Sequence, residues 1–152
     1  MAEETGGAGA LPFVDEHVVE VEVGGEELWG RVVGGLERSL SGEGGARYAR
    51  LVRAEPREAG GPRPLAEGSA YPGFRVVRAV RGRELALAGA HRFSTYSLVF
   101  RIEDLGDGRA RLRAETRAAF PGVAGRIYRL LVIGSGGHAI GMRRMLAGYR
   151  KG

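Results

Sequence analysis

One feature limits the folds open to this chain more than any other. A run of short alternating segments ends at Ala119-Phe120-Pro121-Gly122, and a single helical pattern then runs from Val123 to the C-terminus. A strand pattern and an amphipathic helix pattern open the chain, so the order reads β, α, many β, long α. At about 1.5 Å rise per residue, the terminal pattern predicts a rod of roughly 40 Å. A sheet this rich in strands has one partner long enough to cover it. The expected architecture is an α+β helix-grip arrangement, in which a curved antiparallel sheet of six or seven strands wraps around the C-terminal helix. One or two short helices follow the first strand.

The local patterns fill in that outline. His17 to Val23 alternates, with Val19, Val21 and Val23 on one face and Val18, Glu20 and Glu22 on the other, as in a half-buried strand. After Gly24-Gly25, the residues Leu28, Trp29, Val32, Val33, Leu36 and Leu40 recur at helical spacing, with Glu26 and Glu27 in the first turn, where they favour the helix dipole. Gly34-Gly35 is the point where this helix could divide in two. Tyr48 to Ala54 reads as a second short strand. Residues 55–70, with Pro56, Pro62 and Pro64, read as a loop, either a plain connection or a flap.

Strands are expected at Phe74–Val80, Glu84–Arg92, Phe93–Asp104 and Arg109–Ala118, with turns at Arg81-Gly82-Arg83 and Gly106-Asp107-Gly108. Tyr96, Leu98, Phe100 and Ile102 share a face, as do Leu112, Ala114, Thr116 and Ala118. Burying both sets together requires Ile102 opposite Leu112 and Phe100 opposite Ala114, because a one-residue slip would put arginines in the core. That register also sets Glu103 opposite Arg111, and Arg101 opposite Arg113. The inner residues shrink toward Ala114, Thr116 and Ala118, leaving volume that a helix or a ligand must fill.

The terminal helix carries one apolar stripe, Ile127, Leu131, Gly134, His138, Met142, Met145 and Tyr149. Its middle, Gly134-Ser135-Gly136-Gly137, is costly in a helix. Close approach to the sheet, room for a ligand, or a break near Gly136-Gly137 would each account for it. The string lacks the Lys-Ser/Thr ending of a phosphate loop.

Composition closes off several chemistries. The 152 residues suit one domain, here 13–150 after a flexible tail of residues 1–12. With no cysteine, thiol and disulfide chemistry are excluded. Lys151 is the only lysine, in the terminal tail, so a Schiff base is not expected. The three histidines His17, His91 and His138 are too scattered for a metal site, and neither metal nor cofactor is expected. No apolar run reaches the roughly 18 residues of a membrane span, and Met1-Ala2-Glu3-Glu4 does not open a signal peptide, so a cytoplasmic location is expected. The net charge of +5 is spread over arginines interleaved with acids, which reads as a solvated surface, with nucleic acid not the expected partner. Composition leaves the oligomeric state open.

The chain resembles the START/Bet v 1-like helix-grip superfamily, which includes START lipid-transfer domains, Bet v 1-like plant proteins and polyketide cyclase/dehydrase-like proteins, and within it the bacterial members. The resemblance rests on Phe74-Arg75-Val76-Val77, Glu84-Leu85-Ala86-Leu87, Tyr96-Ser97-Leu98-Val99-Phe100, Leu112-Arg113-Ala114-Glu115-Thr116, Phe120-Pro121-Gly122 and Gly125-Arg126-Ile127-Tyr128. It implies a cavity between the sheet's inner face and the long helix, and a small hydrophobic or aromatic ligand as partner. It implies no shared catalytic motif, so the catalytic residues are unassigned. The cavity candidates are His91, Tyr96, Leu98, Phe100, Ala114, Thr116, Tyr128, Leu131, Gly134, His138 and Met142. His138 fits either a hydrogen-bonded core position or the cavity wall, and Tyr96 and Thr116 either packing with a local hydrogen bond or contact with ligand. Three functions follow in order: a binder of a small apolar molecule, a cyclase- or dehydratase-like enzyme using His138, His91 or Tyr96 as acid/base groups, and an interaction protein acting through its basic surface.

Overall fold

Alternation of apolar and polar residues builds the sheet. A computed structural model of the chain describes residues 11–134 and 136–151, with the side chains of 44, 45, 132, 134, 137, 138 and 151 outside that description. The strands are β1 (Phe13–Val21), β2 (Ala70–Tyr71), β3 (Phe74–Val80), β4 (Glu84–His91), β5 (Ser94–Gly106) and β6 (Arg109–Ala119). They form one curved antiparallel sheet in the order β1-β6-β5-β4-β3-β2. In β1, Val21 is buried and Val18 is exposed, as its alternation requires. The expected tail lies mostly in residues 1–10, outside the described residues, and the backbone carbonyl of Pro12 already accepts the Ala118 N–H (2.9 Å).

The β5–β6 register is the one derived from the inner faces. Ile102 lies opposite Leu112, Phe100 opposite Ala114, and Glu103 opposite Arg111. Arg111 donates to Glu103 at 2.8 Å and to Glu20 of β1 at 3.0 Å. Arg101 and Arg113 do face each other. Neighbouring acids relieve that repulsion: Arg101 lies 3.7 Å from Glu115, and Arg113 lies 3.6 Å from Glu16.

Helix α1 (Gly25–Leu40) buries Leu28, Val32 and Leu36 and is continuous through Gly34-Gly35. Its N-terminus is held from the sheet, where the Asp104 carboxylate accepts the Gly25 N–H (3.1 Å). The reading of Tyr48 to Ala54 as a strand is corrected: helix α2 (Glu43–Leu51) occupies most of it. Ala49 and Val52, three residues apart, are the buried pair, while Leu51 is exposed. A three-residue spacing is helical, and Glu43 stands in the favourable first turn.

The terminal helical pattern breaks at its glycines, one of the three outcomes they allowed. Helix α3 (Gly122–Arg129) passes into a π-helical turn over Leu130–Gly134, and α4 (Gly137–Lys151) follows. Gly136, at φ +82°, marks the break, in a conformation few other residues adopt. The apolar stripe is divided with it. Met142, Leu146 and Tyr149 of α4 are buried in the core with Val21, Phe100, Leu112 and Ala114. Ile127 and Leu131, in the first half, are exposed by 54% and 69%, and that half meets the sheet instead through Tyr128, whose ring lies against His91. Where α1 and α4 cross, Gly35 meets Tyr149 so closely that a Cβ would stand 2.4 Å from the ring.

Candidate functional site

The small inner residues of β5 and β6 leave a space that α4 does not fill. A cavity of about 360 Å³ lies there, bounded on one side by the sheet's inner face and flanked by α1, α2, α3 and α4. The sheet contributes His91, Tyr96, Leu98, Thr116 and Ala118. Tyr48 and Ala49 come from α2, Tyr128 from α3, and Met142 and Met145 from α4. This volume falls within the range of small-molecule sites.

Six of the candidates read from the sequence line this cavity: His91, Tyr96, Leu98, Thr116, Tyr128 and Met142. Phe100 and Ala114 are not on its wall. They are almost wholly buried in the main core, and the Tyr149 ring lies edge-on to Phe100 at 6.2 Å. Leu131 points away and is exposed. Gly134 lies in the π-helical turn and His138 in α4, but both side chains fall outside the described residues.

Tyr96 is positioned by two glycines. It lies opposite Gly89 on β4, where a Cβ would stand 2.0 Å from the Gly73 carbonyl oxygen and 2.9 Å from the tyrosine ring. With no side chain at Gly89, the ring crosses the neighbouring strand and the phenol donates to the Gly73 carbonyl at 2.6 Å. Burial pushes its pKa up to about 12, so the hydroxyl stays protonated.

His91 sits among aromatic rings, 5.4 Å from Tyr96 and 4.9 Å from Tyr128 between centroids. Its Nδ1 accepts the Phe93 N–H at 3.1 Å. In the neutral ring the proton is therefore on Nε2. Burial lowers its pKa and favours that neutral form. The Tyr128 ring stacks on Phe93 at 5.2 Å, and its hydroxyl is hydrogen-bonded to that of Tyr48. This pair joins α2 to α3 across the cavity rim. Burial foremost, then the Tyr48 contact, raises the Tyr128 pKa.

Thr116 is the unusual wall residue. Its Oγ1 is buried, and no hydrogen-bond partner reaches it among the described residues. Buried hydroxyls are nearly always paired, so this one stands out as an unsatisfied polar group in a mostly apolar wall. Among the described residues, no three His, Cys, Asp or Glu side chains come together as a metal site would need. No described helix is long and apolar enough to cross a membrane.

The α2 side of the wall was not legible in the sequence. Tyr48, Ala49 and Val52 fell in the segment read as a strand. Pro72 and Gly73 also line the cavity, and they carry no periodic signal.

No family model matches the chain, and no curated protein is similar to it in sequence. Solved structures are similar in fold. CalU16 from Micromonospora echinospora matches with a TM-score of 0.55 at 13% identity, covering 89% of this chain and 70% of that one. A START superfamily protein from Mycobacterium smegmatis gives 0.52 at 15% identity, covering 91% and 97%. Truncated norcoclaurine synthase from Thalictrum flavum gives 0.54 at 11% identity, covering 93% and 94%. These identities speak to fold alone, and the fold is the helix grip.

Proposed function

We propose that the chain binds a small hydrophobic or aromatic molecule, carrying one hydrogen-bond acceptor or hydroxyl, in the cavity between β4–β6 and the C-terminal helices. The observation that carries this reading is the Thr116 hydroxyl, which is buried in the cavity wall without a partner. A filled core would leave that group unpaired, at a cost of about 1–3 kcal/mol. A ligand with a matching polar atom removes the cost, and the apolar wall supplies the rest of the affinity. Support also comes from a norcoclaurine synthase mutant, similar in fold at a TM-score of 0.52, whose structure is in complex with a transition state analogue.

A second reading, a cyclase- or dehydratase-like enzyme, is favoured by one observation: His91, Tyr96 and Tyr128 share the same cavity. A neutral His91 would accept a proton from a bound carbonyl compound only by turning Nδ1 away from the Phe93 N–H. The protonated tyrosines would act as donors. The carrier reading is preferred, because the Tyr96 phenol is already bound to Gly73.

Native mass spectrometry of the protein purified from its own host, followed by denaturing extraction, tests both readings. A co-purifying apolar molecule recovered unchanged supports the carrier, and a molecule converted on incubation supports the enzyme. A bare protein that also takes up no neutral aromatic probe overturns both.

A further inference from the structure

A second pocket lies beside the apolar cavity, with Ser39 and Met145 in the wall of both. It is about 270 Å³ in volume and opens between α1 and α4, with Arg31, Arg38, Arg144 and Tyr149 around it and Gly35 and Gly148 in its lining. From Gly122 onward the chain contains Arg126, Arg129, Arg143, Arg144, Arg150 and Lys151 and no acidic residue, so α4 itself offers Arg144 no counter-charge.

The three arginines differ in how they are held. Arg31 is fixed: its Nη1 donates to the Tyr149 and Arg150 carbonyls at 3.3 and 3.1 Å. Its Nη2 lies 3.3 Å from Glu27, which offsets its charge. No acid pairs with Arg38 or Arg144 among the described residues. Glu37, next to Arg38 in sequence, is engaged elsewhere, accepting from the Tyr71 hydroxyl at 2.7 Å and lying 3.4 Å from Arg63.

Tyr149 supplies the independent observation. The residue is 94% buried, and its hydroxyl has no hydrogen-bond partner among the described residues. Its ring packs directly on Gly35. Burial raises its pKa, and the Arg38 charge opposes that rise. The site therefore sets two guanidinium groups without an acidic partner around an open volume, with one unused O–H donor buried in its wall, and these match an oxyanion of charge near two.

We propose that this pocket binds a phosphate group, with Arg38 and Arg144 neutralising its charge and the Tyr149 hydroxyl donating to one of its oxygens. Guanidinium forks suit phosphate geometry, and a dianion matches two free arginines better than a carboxylate does. The phosphate belongs either to a small phosphate ester in solution or to a lipid headgroup, and both present the same oxygens.

The test is a titration of the full-length protein with inorganic phosphate and with glycerol phosphate, followed by nuclear magnetic resonance of the backbone amides. Sodium chloride of equal ionic strength is the control. The expected result is saturable shifts confined to α1 and α4, at least tenfold weaker in the double variant Arg38→Gln/Arg144→Gln. Tyr149→Phe keeps the ring against Gly35 and removes only the oxygen. It should raise the melting temperature of the phosphate-free protein while weakening phosphate binding several-fold, a combination that a purely structural tyrosine would not give. Vesicles of phosphatidic acid in phosphatidylcholine form the second arm. Binding to vesicles but not to soluble phosphates assigns the headgroup, and saturable binding of soluble phosphate assigns the free ester. Shifts that chloride reproduces, or that persist in the double variant, overturn the proposal, as does silence toward every probe.

Discussion

Gly35 and Tyr149 are in direct contact across the α1–α4 crossing, and only a residue without a Cβ fits there, since that atom would stand 2.4 Å from the tyrosine ring. Gly30, five residues earlier on the same helix, is exposed and meets nothing. Alanine favours a helix over glycine by about 1 kcal/mol. Gly30→Ala should therefore stabilise the protein by up to about 1 kcal/mol. Gly35→Ala should destabilise it by about 1–2 kcal/mol, because overpacking outweighs the helix gain. Urea unfolding of the two variants checks this; a gain in both would mean the crossing is loose.

The Thr116 hydroxyl gives a prediction of opposite sign to most core substitutions. Thr116→Val keeps a β-branched side chain on the strand and removes the unpaired oxygen. The ligand-free protein should gain about 1 kcal/mol, while affinity for a ligand with a polar atom should fall about tenfold. Chemical denaturation and a ligand titration read the two effects separately. A loss of stability would show that the hydroxyl already has a partner.

How far the sequence announced this structure depends on the element. The β5–β6 pairing was legible because only one register keeps arginines out of the core, and the structure adopts it, with Ile102 opposite Leu112. Helix α2 was not, because the spacing that matters, Ala49 to Val52, becomes visible only through burial. The glycines at 134–137 admitted a break, a close approach or a cavity, and periodicity could not choose among them. At the site, Thr116 and Met142 could be reached from strand and helix faces. Tyr48 and Gly73 could not, since tertiary folding alone brings them to the wall.

His91 predicts a pH dependence. Its folded-state pKa lies below the ordinary 6.5, because burial disfavours the charged ring. Above about 6.5 both folded and unfolded states hold it neutral. As pH falls through that value, the unfolded chain binds a proton that the folded chain resists, so stability is lost toward the folded pKa. Unfolding measured at pH 7.5 and pH 5.5 should show that loss, and His91→Asn, which does not titrate, should show less of it. An equal loss in the variant would remove His91 as its source.

The Tyr48–Tyr128 hydrogen bond joins the two helices at the cavity rim. Tyr48→Phe removes it without opening the core, since Tyr48 is half exposed. Entry and exit of a bound probe should both accelerate, with little change in Kd, because the bond closes the rim in the bound and free states alike. Stopped-flow fluorescence reads both rates, and unchanged rates would mean that ligand passes elsewhere.

The claim that the cavity bounded by Thr116, Ala118, His91 and Met142 is a binding site is put to the test by a fluorescence titration with neutral N-phenyl-1-naphthylamine. The probe carries no charge, so the arginines do not attract it. The wild-type protein should bind one molecule saturably, and Ala118→Phe, which projects a ring into the cavity, should lose at least tenfold in affinity while remaining folded. Equal binding by both proteins, or none by the wild type, would contradict the claim.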